Sequence, residues 1–326
     1  MKEKIMDMLK LADEIIGGKR IVRGDDTGFF LTADLETLCK GADRIRKHFC
    51  GDHVDLCSII NGKSGKCSEN CRFCAQSAHN CTGVGEYDLL GADEILAECK
   101  HNEERGVHRF SIVTAGRTLS GSDFDKAEKI YTILHRETNM QLCGSHGLLT
   151  DEQFRRLKNT GVSRYHCNIE TSRRNFPNIC TTHTYEDKIA CIRRAQKAGL
   201  QVCSGGIIGM GETWEDRIDM AISLAELGVD SIPINALMPI KGTPFETLGR
   251  LSEEDILRTV AIFRYIAPTA NIRLAAGRDL MADCGKTAFL SGADSTITGD
   301  MLTTSGNDIK SDREMLTTMG FDISRK

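Results

Sequence analysis

The stretch Gln201-Val202-Cys203-Ser204-Gly205-Gly206-Ile207-Ile208 is followed by Thr213-Trp214-Glu215-Asp216 and, past Gly228, by Ser231-Ile232-Pro233-Ile234-Asn235-Ala236. Two short apolar runs flank a segment with helix punctuation. Thr213 and Asp216 have capping-box spacing, in which the first side chain accepts from the third backbone N–H and the third reaches back. Ile218, Ile222 and Ala225 then recur at i, i+4 and i+7 on one helical face, and Gly228 supplies the stop. The unit is strand, helix, strand.

Working outward, the same architecture repeats from about residue 54 without any repeat of sequence. Strand-like runs fall at 55–60, 109–114, 140–143, 164–169, 201–208, 231–236, 272–274 and 295–298. Thr150 with Gln153, Thr184 with Asp187, and Ser252 with Asp255 open helices that Gly161, Gly199 and Pro268 bring to an end. Eight strands alternating with helices predict an α/β fold, a (β/α)8 TIM-type barrel. An open doubly wound sheet is the rival, but the Gly-rich dinucleotide fingerprint it would carry is missing. Residues 1–50, with Ile5, Leu9, Leu11, Ile15 and Ile16 near a helical period and a second helix over 34–47, form an expected N-terminal helical extension. Residues 51–326 form the barrel, with a last helix and an exposed end from Thr303 onward.

The chain has 326 residues, is 40% hydrophobic and 27% charged, and carries a net charge of −4. That balance suits a globular protein and gives no basic field for nucleic acid. No apolar run is long enough to span a bilayer, so no membrane role is expected. Met1-Lys2-Glu3-Lys4 leads into a charged amphipathic segment and not a signal peptide, so the expected location is cytoplasmic. Fourteen cysteines then read as reduced thiols and not a disulfide framework. Cys39, Cys99, Cys191 and Cys284 read as small buried hydrophobes; Cys50 and Cys57, just before the cysteine loop, fit either a bland or a functional reading, with the bland one preferred.

Three cysteines stand apart: Cys67-Ser68-Glu69-Asn70-Cys71-Arg72-Phe73-Cys74. On a strand their side chains would alternate faces; on a loop they converge on one centre. Soft thiolates at this spacing select zinc or an iron–sulfur cluster. A closed zinc site wants a fourth ligand, for which His79 and Cys81 are at hand. A four-iron cluster held by three cysteines instead leaves one iron open to a substrate or cofactor. Other polar residues fall at the C-terminal ends of the expected strands, where barrel active sites lie: Cys143, His166, Asn168, Glu170, Cys203, Asn235 and Arg273. Each also has a bland reading, as core thiol, interior histidine, loop cap, solvated acid or partner of a structural carboxylate.

The cysteine loop, with Phe73 before its third thiol, resembles that of the radical S-adenosylmethionine (SAM) enzymes. The runs Val202 to Thr213, Ser231 to Leu237, Lys241-Gly242-Thr243-Pro244-Phe245, Ile272 to Arg278 and Asn168-Ile169-Glu170-Thr171-Ser172 are similar to those of the biotin synthase family. The similarity runs from about residue 50 to 305.

This resemblance implies insertion of sulfur between two unactivated carbons of dethiobiotin, chemistry that needs a cofactor-derived radical. It implies a [4Fe–4S] cluster on Cys67, Cys71 and Cys74 that binds SAM. Phe73 is then expected near the adenine, Asn168 and Glu170 at the SAM ribose and substrate, the Gly205 to Ile208 backbone (with Ile207) against SAM, and Asn235 facing the substrate. Glu170 stands where the family commonly has Asp. An auxiliary iron–sulfur cluster, the sulfur donor, is expected on Cys143, Cys203 and Arg273, but the fourth family position, normally cysteine, is Ser111. Serine oxygen is a hard, poor iron ligand. The ligand is replaced by a Ser111 alkoxide, by another cysteine such as Cys167 or Cys180, or by an exogenous or bridging sulfur; strand parity counts against Cys167. The cluster type is therefore open, with anchoring by Cys143 and Cys203 expected. A low-potential donor such as flavodoxin or ferredoxin and a homodimer complete the implied picture. The alternatives are another radical SAM barrel, such as a hydrogenase-cofactor maturase or a mutase, and a non-catalytic metal or cluster carrier.

Overall fold

A computed structural model describes residues 6–299 and 307–325; Ile5 and Thr303 lie outside them. The strands are β1 Asp55–Lys63, β2 Arg109–Thr114, β3 Gln141–Ser145, β4 Val162–His166, β5 Gln201–Cys203, β6 Gly206–Ile208, β7 Ser231–Ala236, β8 Asn271–Leu274 and β9 Ser295–Ile297. All pair in parallel in the order β5-β4-β3-β2-β1-β9-β8-β7-β6. β5 and β6 are two halves of one barrel strand, and a contact between Cys203 of β5 and Ser231 of β7 closes the ring. The result is the expected eight-stranded (β/α)8 barrel.

The helices are α1 Met8–Ile16, α2 Phe29–Thr32, α3 Leu35–Cys50, α4 Ala92–Glu104, α5 Gly121–Glu137, α6 Asp151–Asn159, α7 Tyr185–Lys197, α8 Trp214–Leu227, α9 Glu253–Ile266, α10 Lys286–Phe289 and α11 Ile309–Thr318. The four capping boxes read from sequence all form, at Thr150, Thr184, Thr213 and Ser252. Gly228 closes α8 in the left-handed conformation that only glycine adopts without cost.

The N-terminal helices lie on the barrel's outer surface against α9. Tyr265 Oη donates to the Met8 carbonyl at 2.9 Å, and Arg258 donates to the carbonyls of Phe30 and Ala33. At the N-terminal end of the strands the chain's tail closes the barrel. Val54 N donates to Asp322 O, and the His108 ring pairs with Ile323 O. No helix among the described residues is long and apolar enough to cross a membrane.

Two boundaries differ from expectation. β4 ends at His166, so Asn168 lies beyond the strand and not in it, with Glu170 further on, outside the strand as expected. The run 201–208 breaks at Ser204–Gly205. The two meet at one place: past β4 the chain runs on in parallel beside the break, and Glu170 bridges to Gly206. Glu170 N donates to Gly205 O at 3.1 Å, and Ile207 N donates to Glu170 O at 2.9 Å.

Candidate active site

Side chains alternate faces along a strand, so every second residue of each strand enters the lumen. The residues that do so line one cavity of about 330 Å3 at the open, C-terminal end of the barrel, within the size range of small-molecule sites.

The lower layer is charged. Asp55 Oδ2 accepts from Arg273 Nη2 at 2.7 Å and Arg109 Nε at 2.8 Å, with Arg164 Nη1 at 3.5 Å. Burial alone would push the Asp55 carboxyl up, but Arg273, with Arg109 and Arg164, holds it well below the ordinary carboxylate range. Arg273 also donates to Ser231 Oγ and to the carbonyls of Asp55 and Thr296. The bland alternative for Arg273, pairing with a structural carboxylate, is thus present, and four of its five N–H groups are committed, which leaves little of it for the cluster role that the resemblance implied. By contrast Arg109 Nη1 and Arg164 Nε are buried without a partner, and three guanidiniums face one carboxylate.

Directly against this layer sit three thiols, Cys57, Cys143 and Cys203, all buried and lining the cavity with Ser111. Burial pushes the Cys57 thiol up to about 12; Arg273 draws it down, and Cys143 and Cys203 raise it again. Burial likewise raises Cys143, against the pull of Arg109 and Arg164. Cys57 is not singled out as a site residue from sequence, but parity places it in the lumen: Asp55, Cys57 and Ile59 alternate with outward residues on β1, so all three point inward. Neither suggested replacement for the Ser111 position is here. Cys167 faces outward against Cys191 of α7, and Cys180 lies beside Cys71.

The upper layer holds Phe73, Cys74, Asn168, Glu170, Ile207 and Asn235 around the same cavity. Asn168 Oδ1 accepts from Gly205 N at 3.0 Å, and Glu170 is held at φ +69°, a conformation that costs a non-glycine residue energy and marks positions fixed by their surroundings. Its Oε2 is buried and unpartnered, while Lys188 Nζ lies 3.8 Å from Oε1. Asn235 donates to Gly206 O at 3.1 Å and accepts from Ala276 N at 3.2 Å, so its amide also braces the β6 backbone. Gly205 contributes backbone only. His166 lines the cavity too, and burial lowers its pKa.

The close approach depends on glycine. A Cβ on Gly206 would sit 2.3 Å from Glu170 O and 2.4 Å from Met220 Sδ, and one on Gly205 2.0 Å from Pro233 O. Gly206→Ala is therefore expected to push the Asn168–Glu170 segment out of register and to cost about 1–3 kcal/mol, read as a lower urea midpoint. An unchanged midpoint would show that the neighbours yield freely.

The cysteine loop is stitched to the segment after β4. Asn70 Oδ1 accepts from Thr181 N and Thr182 N, Arg72 N donates to Ile179 O, and Glu69 Oε2 accepts from Thr182 Oγ1 at 2.8 Å. Within the loop Asn80 Nδ2 donates to the carbonyls of Cys71 and Cys74. The suggested fourth zinc ligands are turned elsewhere: the His79 ring is on Ser68 O, and Cys81 is exposed. Three half-buried thiols on a braced loop, above a cavity with an orphaned carboxylate oxygen, fit a three-cysteine cluster and a ligand that brings hydrogen-bond donors to Glu170.

A biotin synthase of Clostridium beijerinckii is 64% identical to this chain over 316 residues, covering 97% of this chain and 100% of that protein. The chain belongs to the biotin synthase family. A second biotin synthase, of Alkaliphilus metalliredigens, is 64% identical over 94% of this chain and 97% of its own length. Residues 63–224 match the Radical SAM superfamily and residues 233–322 the Biotin and Thiamin Synthesis associated domain. Among solved structures, methylornithine synthase superposes with a TM-score of 0.84 at 21% identity over 97% of each chain, which speaks to the fold alone. The chain is thus a radical SAM enzyme, which sets aside the non-catalytic reading, as the closed barrel sets aside the open sheet.

Proposed function

We propose that the enzyme converts dethiobiotin to biotin by radical sulfur insertion, and that its sulfur comes from an auxiliary cluster anchored by Cys57, Cys143 and Cys203. The observation that carries this reading is the third lumen thiol. Cys57 restores the thiol count lost at Ser111, beside unpartnered guanidinium N–H groups that favour an anionic centre. With Arg273 largely committed to Asp55 and to backbone, three thiols are the better donor set. An exogenous or bridging sulfur ligand remains compatible with the same pocket.

When bound, the [4Fe–4S] cluster on Cys67, Cys71 and Cys74 supplies the electron that cleaves SAM to a carbon radical able to abstract substrate hydrogen. The chain's own residues orient and enclose. Glu170 and Asn168 would hold the SAM ribose, Phe73 the adenine, and the Gly205–Ile207 backbone the remainder. Lys188, largely buried, places its cation 3.8 Å from Glu170 Oε1 and so helps fix that carboxylate. Asn235 faces the substrate, and the apolar wall of Ile59, Val113, Leu237 and Ile297 keeps water from a reactive carbon centre. The family relationship also supports a low-potential donor such as flavodoxin or ferredoxin, a homodimer and a cytoplasmic enzyme.

The test is anaerobic Mössbauer spectroscopy of iron-57 protein in which Cys67, Cys71 and Cys74 are all serine. Residual cluster iron is expected. Its complete absence, or failure of wild-type enzyme to make biotin from dethiobiotin while still releasing 5′-deoxyadenosine, would leave a radical SAM enzyme of different outcome.

A further inference from the structure

Cys180 and His183 take no part in the reading above, yet they lie beside the cysteine loop. Cys71, Cys180 and His183 place three ligand atoms within 4.8 Å of one another. Cys180 Sγ is 3.3 Å from His183 Nδ1, and the two residues are 4% and 6% exposed. Bonds of about 2.3 Å to sulfur and about 2.0–2.1 Å to nitrogen, at a tetrahedral angle, give an S···N edge of about 3.6 Å. The observed separation is close to that edge. A buried thiol read as a small hydrophobe would sit among carbon atoms; Cys180 Sγ instead meets Asn70 Oδ1, Thr182 Oγ1 and His183 Nδ1. Glu69 Oε2 is hydrogen-bonded to His183 Nδ1 at 2.5 Å, so it is a nearby oxygen that would have to turn from that bond to take a fourth position, which water could fill instead. Arg117, 3.4 Å from Glu69 Oε2, offsets part of the negative charge. The donors are prepositioned by the bonds of Asn70 and Glu69 to Thr181 and Thr182, so little ordering is needed on binding.

We propose that Cys71, Cys180 and His183, completed by Glu69 or water, form a Zn2+ site in the chain before its radical SAM cluster is built. Two thiolates, an imidazole and an oxygen donor match zinc. Cys71 belongs to this site or to the iron cluster but not to both, so cluster assembly expels the zinc and the ion holds the loop folded until then. The proposal rests on the reading of Cys71 as a cluster ligand.

The test uses reduced, chelator-stripped full-length chain under anaerobic conditions. In a Cys67→Ser/Cys74→Ser background, which cannot hold the iron cluster but keeps Cys71, Zn2+ is expected to bind. Co2+ as a probe should show thiolate-to-metal charge-transfer absorption. Adding Cys180→Ser or His183→Ala should remove one equivalent, or weaken binding at least about 100-fold; thiols deeper in the barrel are common to both measurements and cancel. Equal stoichiometry and affinity with and without Cys180→Ser overturns the proposal. The Cys180→Ser single variant, reconstituted with iron and sulfide, should still take up the loop cluster, which shows that it folds. In wild type, one Zn2+ should be released per loop cluster formed; a cluster that forms with that zinc retained also overturns the exchange. A wild-type chain that binds zinc here but never builds a loop cluster would instead overturn the cluster reading of Cys71 and leave the zinc site standing.

Discussion

Changing Cys57 to serine is expected to strip the auxiliary iron from the enzyme and lower biotin formation at least about 100-fold, since residues that merely orient metal ligands already account for 10–100-fold. Release of 5′-deoxyadenosine from SAM should persist, because Cys67, Cys71 and Cys74 stand on a separate loop. The argument is geometric. Cys57, Cys143 and Cys203 come from strands around the ring and line one cavity, and burial with the neighbouring thiols keeps Cys57 protonated until a metal displaces the proton. The measurement is iron per chain in the Cys67→Ser/Cys71→Ser/Cys74→Ser background, with and without Cys57→Ser. A rescue sharpens it. Ser111 lines the same cavity and is register-paired with Cys143, so Cys57→Ser/Ser111→Cys should regain iron that Cys57→Ser alone has lost. Undiminished iron in the Cys57→Ser protein would remove this residue from the ligand set and return the choice to an exogenous sulfur.

Why Cys57 escaped notice in the sequence says what such reading can reach. Capping boxes at Thr150, Thr184, Thr213 and Ser252 are local, so helix starts were legible, and with them the alternation that defines the barrel. The cysteine loop was legible because its three thiols are close in sequence. Cys57 was weighed by its neighbours in the chain, not by the face it shares with Asp55 and Ile59; parity on β1 carried the signal. The break at Ser204–Gly205 was not legible, because it arises from Glu170 inserting its backbone against Gly205 and Ile207, a contact between segments far apart in sequence. For the same reason Asn168 was placed on β4 when it lies past its end. Cys180 follows β4 in the chain, near the end where the auxiliary pocket opens; only the fold shows the segment crossing to Cys71. An arginine inside an apolar strand is costly to bury alone, but the partner of Arg273, Asp55, can be named only once β1 and β8 are seen around one lumen.

That partner supports the second large effect. Asp55→Asn is expected to destabilise the cluster-free protein by about 3–5 kcal/mol, the usual result of removing one member of a buried ion pair, read as a shift in urea-induced unfolding. Asparagine keeps the shape and one acceptor oxygen, so the loss isolates the charge: Arg109, Arg164 and Arg273 would share no anion in a lumen where each is at least mostly buried. One carboxylate already serves all three, and Arg109 Nη1 and Arg164 Nε are unpartnered with Asp55 intact. An excess of buried positive charge is costly in an empty pocket and favourable beside thiolates holding a metal centre. The penalty should therefore shrink when the auxiliary thiols are metal-loaded, because their negative charge then replaces part of what Asp55 supplied. Measuring Asp55→Asn against wild type with and without auxiliary iron closes a thermodynamic cycle. A clear difference between its two arms ties the guanidinium layer to the cluster. Identical arms would mean that Asp55 and its three arginines hold the barrel floor together and nothing more.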